Sequence, residues 1–100
     1  MKIRWTESAV EDLENIKNYI SKDSEYYGLI MIGRILGAVE KLSRFPDVGR
    51  VIPEMRDANI REILFHNYRI IYKKDEGCIL ILAIVHGARD LENVKPWEFL

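Results

Sequence analysis

Five side chains in the second half of the chain could recognise or move charge: Arg50, Arg61, Arg69, His86 and Arg89. A guanidinium offers a planar fork of donors that matches carboxylate or phosphate oxygens two at a time. Arg50 follows Gly49 in a turn-rich stretch. It either aims at a ligand or pairs with Asp47 or Glu54. Arg61 and Arg69 fall on adjacent predicted strands. They either converge over one sheet face as an anion-binding pair or are taken up by Glu62 and helix acids. His86 stands at a predicted strand end, before Gly87, where an imidazole can serve as acid or base. No nucleophile sits beside it in the sequence, and a structural, hydrogen-bonding histidine fits the same position. Arg89 next to Asp90 reads as a local ion pair, worth little if exposed. Tyr68 and Tyr72 share one strand face and suit half-buried sheet tyrosines.

Other chemistries are excluded. There is no Gly-rich phosphate loop, no His-Glu-x-x-His, no Cys-x-x-Cys and no nucleophile elbow. Two histidines and one cysteine make a metal site improbable, and no cofactor is expected. Cys78 has no disulfide partner, and beside Ile79 and Leu80 it reads as a buried, inert thiol. The net charge of -1 is far from the basic excess of a protein living on phosphates. Charge is unevenly placed, however. From Thr6 to Tyr27 the acids Glu7, Glu11, Asp12, Glu14, Asp23 and Glu25 outnumber Lys17 and Lys22. From Arg44 to Lys73 bases lead, and all but Lys73 are arginine. The start, Met1 to Trp5, carries no long apolar run behind its bases, so it does not read as a signal peptide. The apolar stretch Cys78 to Val85 is too short to cross a membrane. A cytoplasmic protein without membrane contact is the expectation.

These residues need elements to hold them, and the 100 residues suffice for one domain, 1–100. Lys2 to Trp5 alternates like a short strand. Thr6 offers an N-cap, and Ala9, Leu13, Ile16 and Ile20 recur at helical spacing opposite an acidic face. Ser21 to Ser24 turns the chain. A second, more apolar helix runs from about Glu25 to Arg44 on Leu29, Ile32, Leu36, Val39 and Leu42, ended by Phe45-Pro46. Gly28, Gly33 and Gly37 are expected to line one side and let the helices approach. Asp47 to Asn59 reads as a long loop. Ile60 to Phe65, Tyr68 to Lys73 and Cys78 to Val85 read as strands, joined at His66-Asn67, with asparagine suited to positive φ, and at Asp75-Glu76-Gly77. The last strand is apolar throughout, so it should be central, with both faces covered. The prediction is an α+β fold: an N-terminal strand, a helix hairpin, then an antiparallel three-stranded meander, with the helices on one face of the sheet. A purely antiparallel, four-stranded sheet is expected.

Several segments in order resemble the RelE/ParE toxins of type II toxin–antitoxin systems. They are Trp5-Thr6 with Ala9, Asp12-Leu13 and Ile16, then Leu42-x-x-Phe45-Pro46-x-x-Gly49-Arg50. Ile60-Arg61-Glu62, Tyr68-Arg69-Ile70-Ile71-Tyr72 and His86-Gly87-Ala88-Arg89-Asp90-Leu91 complete the set. The resemblance implies a growth-inhibiting toxin, of the kind linked to plasmid stabilisation, held silent by a cognate antitoxin, in a heterotetramer for some arrangements. RelE-like members cleave messenger RNA on the ribosome. ParE-like members block DNA gyrase and are not nucleases. By position, Arg50, Arg61, Arg69 and Arg89 would contact the target, with His86 catalytic only in the RelE-like case. The absence of lysine between Phe45 and Ile60, the net charge of -1 and the His-Gly-Ala-Arg-Asp-Leu segment favour the ParE-like side. A degenerate toxin acting only as an antitoxin-binding partner is the third alternative.

Overall fold

The computed structural model describes residues 1–87. Arg89 and the rest of the C-terminal segment lie outside the described residues. The chain runs β1 (Lys2–Trp5), α1 (Glu7–Ser21), α2 (Glu25–Glu40), a 3-10 turn (Lys41–Ser43), β2 (Arg50–Val51), a second 3-10 turn (Pro53–Met55), β3 (Ile60–Phe65), β4 (Tyr68–Asp75) and β5 (Cys78–His86). Thr6 caps α1 by accepting from the Ala9 N–H, and its hydroxyl faces the carbonyls of Ile81 and Leu82 on β5. One short side chain thus starts the helix and fixes it to the sheet. Ser24 caps α2 in the same manner.

Among the described residues the sheet has five strands, in the order β1-β5-β4-β3-β2. The β3–β4–β5 meander is antiparallel, as its short turns require. Two features depart from expectation. β1 lies parallel to β5, so the sheet is mixed, and a fifth strand, β2, sits inside the stretch read as loop. A parallel pair needs a long connection, and everything from α1 to β4 supplies it here. β5 has a neighbour on each side, as its apolar run implies.

Both faces of the sheet are covered. Ala9, Ile16, Ile35, Val39 and Leu42 pack on Ile70, Tyr72, Ile79, Ile81 and Ile84 between helices and sheet. On the other face Ile52 and Met55 pack with Ile60, Ile71, Leu82, Ala83 and Val85. A bulge serves both cores: Ile71 pairs with Ala83 but Tyr72 with Ile81, so Leu82 is the extra residue. The shift sends Leu82 and Ala83 to the second core and returns Ile84 to the first. Beside the bulge, Asp12 of α1 accepts from the Ile84 N–H at 3.0 Å. An acid in the acidic stretch of α1 is therefore a tie between helix and sheet.

α2 is less buried than its composition suggests, since Leu29 and Leu36 are exposed and Ile35 and Val39 carry the contact. Of its glycines only Gly28 is a close approach, where a Cβ would meet the Ser21 hydroxyl; Gly33 and Gly37 face open space. At the β3–β4 turn the positive φ belongs to His66, at 53°, and not to Asn67. Cys78 is partly exposed, not buried. Among the described residues no helix is long and apolar enough to cross a membrane, and no group of histidine, cysteine and acidic residues could hold a metal ion.

Candidate functional site

The site is built on the loop between α2 and β3. Tyr72, fully buried on β4, accepts from the Gly49 N–H at 2.9 Å and donates to the Pro46 carbonyl at 2.8 Å. Burial pushes its phenol above the ordinary 10.0, against smaller lowering by the Gly49 hydrogen bond and Arg61. Arg61 Nη1 donates to the Gly49 carbonyl at 2.8 Å and the Asp47 carbonyl at 3.3 Å, while Lys74 pairs with Asp47 at 3.0 Å. Gly49 is required here. A Cβ would lie 2.6 Å from the Tyr72 hydroxyl and 2.7 Å from the Glu62 carbonyl.

So strapped, the loop delivers Arg50 to β2, opposite Glu62 of β3. Arg50 Nε donates to Glu62 Oε1 at 2.6 Å, with Nη2 at the same distance. Arg69 Nη2 of β4 reaches that oxygen at 3.0 Å. The Glu62 side chain has no solvent exposure, and its other oxygen, Oε2, is buried without a hydrogen-bond partner among the described residues. The two arginines differ, Arg50 being 66% exposed and Arg69 18%. They form one wall of a cleft of about 500 Å³, whose other sides are Leu64, His66, Asn67, Tyr68, His86 and Gly87. Tyr68 and His86 meet edge to face, with ring centroids 5.9 Å apart.

Arg50, Arg69 and His86 are thus brought together, whereas Arg61 is not. Neighbours on a strand point to opposite faces, and Arg61 is spent on loop carbonyls on the side of Tyr72. Of the two alternatives for Arg61 and Arg69, convergence over one face does not occur; Arg69 instead meets Arg50, and the acid they share is Glu62, not Asp47 or Glu54. Glu62 was read only as a partner open to Arg61 or Arg69, Tyr68 as a half-buried sheet tyrosine and His66 as a turn residue, so none of the three was named as a site member. The available signal was Glu62 between Ile60 and Leu64 on one face of an apolar strand.

A second concavity, of about 540 Å³, lies between α2 and β3. Phe45, Val48 and Leu64 line it and are each more than 60% exposed, with Arg34 and Lys41 also in the lining. β2 pairs with Arg61 and Glu62 of β3. Among the described residues nothing pairs with the outer edge of β3 from Ile63 to Phe65.

This architecture has known counterparts. Residues 3–91 match the family model described as the ParE toxin of the type II toxin–antitoxin system parDE. The chain is 32% identical over 89 residues to Toxin RelE2 of Caulobacter vibrioides, covering 88% of this chain and 97% of that protein. Among solved structures it superposes on a chain of the chromosomal ParDE system of P. aeruginosa with a TM-score of 0.72. That pair shares 21% identity, over 86% of this chain and 95% of the other. A chain of the toxin–antitoxin complex RelBE2 of Mycobacterium tuberculosis gives a TM-score of 0.62 at 23% identity, over 85% and 95%. With the family model spanning nearly the whole chain, this protein belongs to the ParE toxin family of type II toxin–antitoxin systems.

Proposed function

We propose that the protein is a toxin silenced by a cognate antitoxin, and that it acts as a ParE-like inhibitor of DNA gyrase, not as a nuclease. The observation that carries this reading is the shared carboxylate under the cleft. Arg50 and Arg69 spend donors on one buried oxygen of Glu62. Two cations against one anion leave about one positive charge, and no lysine is among the described residues lining the cleft. A site that grips an RNA backbone needs cation excess over several phosphates. A protein surface needs only local complementarity.

The nuclease reading has its own supporting observation. His66, Tyr68 and His86 stand with two arginines around one cleft, which is a possible acid–base set. The two readings separate on variants. Under gyrase inhibition, Arg50→Ala and Arg69→Ala each weaken growth arrest, by the equivalent of about 1–3 kcal/mol of contact, and His86→Ala changes little. Under the nuclease reading His86→Ala loses about 10²–10⁴ in rate and is the most damaging of the three. Growth arrest is measured on induction, with circular dichroism confirming that each variant folds. A folded but harmless His86→Ala, beside cut messenger RNA from the parent, reverses the assignment.

The antitoxin is proposed to occupy the apolar groove between α2 and β3. The neighbours from P. aeruginosa and M. tuberculosis belong to toxin–antitoxin assemblies. Here the exposed Phe45, Val48 and Leu64 lie beside an open strand edge, and both are surfaces that a partner helix or added strand can cover. The complex is proposed to be cytoplasmic and compatible with a heterotetramer.

A further inference from the structure

We infer that Glu62 is the positioning residue of the cleft: its buried carboxylate holds Arg50 and Arg69 as a fork that takes one carboxylate from an acidic side chain of the protein target. The inference rests on the protein-target reading above and names the chemistry at that site. Three nitrogens from two strands, Arg50 Nε and Nη2 and Arg69 Nη2, meet on the single oxygen Oε1. Arginine–carboxylate pairs frequently use both oxygens in parallel. Here Oε2 is buried and unmatched, an arrangement with a desolvation penalty and no hydrogen bond to offset it. What it secures is the placement of the arginines.

Each guanidinium keeps donors in reserve. Among the described residues Arg50 Nη1 has no acceptor, and neither do Nε and Nη1 of Arg69. Arg50 is tethered yet mostly exposed, so its free edge is held in one direction without the rotamer loss an untethered arginine suffers on binding. The net charge of the trio, one positive unit, matches one carboxylate. A phosphodiester strand would bring a charge with every nucleotide to a chain of net charge -1. Leu64, exposed at the cleft wall, can cover the methylene stem of an acidic side chain.

The test uses the full ¹⁵N-labelled chain and the Nε–Hε signals of its arginines. Sodium acetate should shift Arg50 and Arg69 and leave the exposed Arg56 unmoved, with dimethyl phosphate giving the weaker response. Glu62→Gln should keep a cooperative melt, while both signals collapse to the free-arginine position and the acetate response disappears. Growth arrest should fall about ten-fold or more. If Glu62→Gln does not fold, Glu62→Asp keeps the charge but withdraws the oxygen by one methylene. It should release Arg50 first, since Arg50 is the more exposed of the two, at 66% against 18%. A folded variant with wild-type arginine signals and acetate response overturns the inference, because a merely structural Glu62 would change the melt and not these signals. A stronger response to dimethyl phosphate overturns the choice of carboxylate. Failure of the gyrase reading is separately visible: wild type would leave supercoiling untouched while the acetate response persisted, and Glu62 would keep its role.

Discussion

Replacing Tyr72 by alanine is expected to destabilise the protein by about 3–5 kcal/mol, much of the total available to a domain of this size. Tyr72 has no solvent exposure and lies in the main core. Its hydroxyl is the strap that pulls Gly49 and Pro46 onto the sheet. Tyr72→Phe keeps the ring and removes the strap. The orphaned Gly49 N–H should then cost about 1–3 kcal/mol, and Arg50 should lose its fixed place beside Glu62. Chemical denaturation measures both variants. The same phenol sets an alkaline limit. Burial raises its pKa in the folded protein above the ordinary 10.0, so folding favours the protonated form. That contribution is intact below pH 10 and is lost as pH rises through the raised folded value, at up to about 1.4 kcal/mol per pH unit. Tyr72→Phe should show a shallower alkaline decline. Equal slopes for the two proteins would remove Tyr72 from this role.

The second large effect is expected from the partner. The product of the neighbouring gene should co-purify with this chain and raise its melting temperature. A ligand at a hundred times its Kd adds about 2.7 kcal/mol, which is about 10 °C or more for a domain this small. Leu64→Asp and Phe45→Asp put a charge on exposed apolar positions of the α2–β3 groove. They should leave the free protein's melt unchanged and weaken binding about ten-fold or more, since burying one such side chain is worth about 1.5–3 kcal/mol. A neighbouring product that neither co-purifies nor shifts the melt would dismiss the module. Unchanged affinity in both variants would move the antitoxin elsewhere on the surface.

The parts of the fold governed by local rules were legible. β1, the Thr6 cap and β3 follow from alternation, a hydroxyl in the right place and turn residues, and the structure has the same residues there. The second helix was read to Arg44, but the last turn tightens to 3-10 from Lys41 onward. What depends on residues far apart was not legible. β2 is two residues long and exists only because Arg50 and Val51 meet Glu62 and Arg61. The parallel pairing of β1 with β5 leaves no periodic trace. In the site, Arg50 and Arg69 line one cleft, but which arginine converges with which depends on strand parity and on a loop strap. Parity turns Arg61 away from Arg69. Glu62 was one of several acids open to the arginines, and only its neighbours in space single it out.

The most direct test of the account is a gyrase supercoiling assay with the purified full chain, run beside a translating ribosome extract probed for messenger RNA cleavage. Supercoiling should be inhibited in proportion to toxin and restored by the antitoxin, and the messenger RNA should stay intact. Intact supercoiling with messenger RNA cut in the extract, and the cutting abolished by a folded His86→Ala, would contradict it.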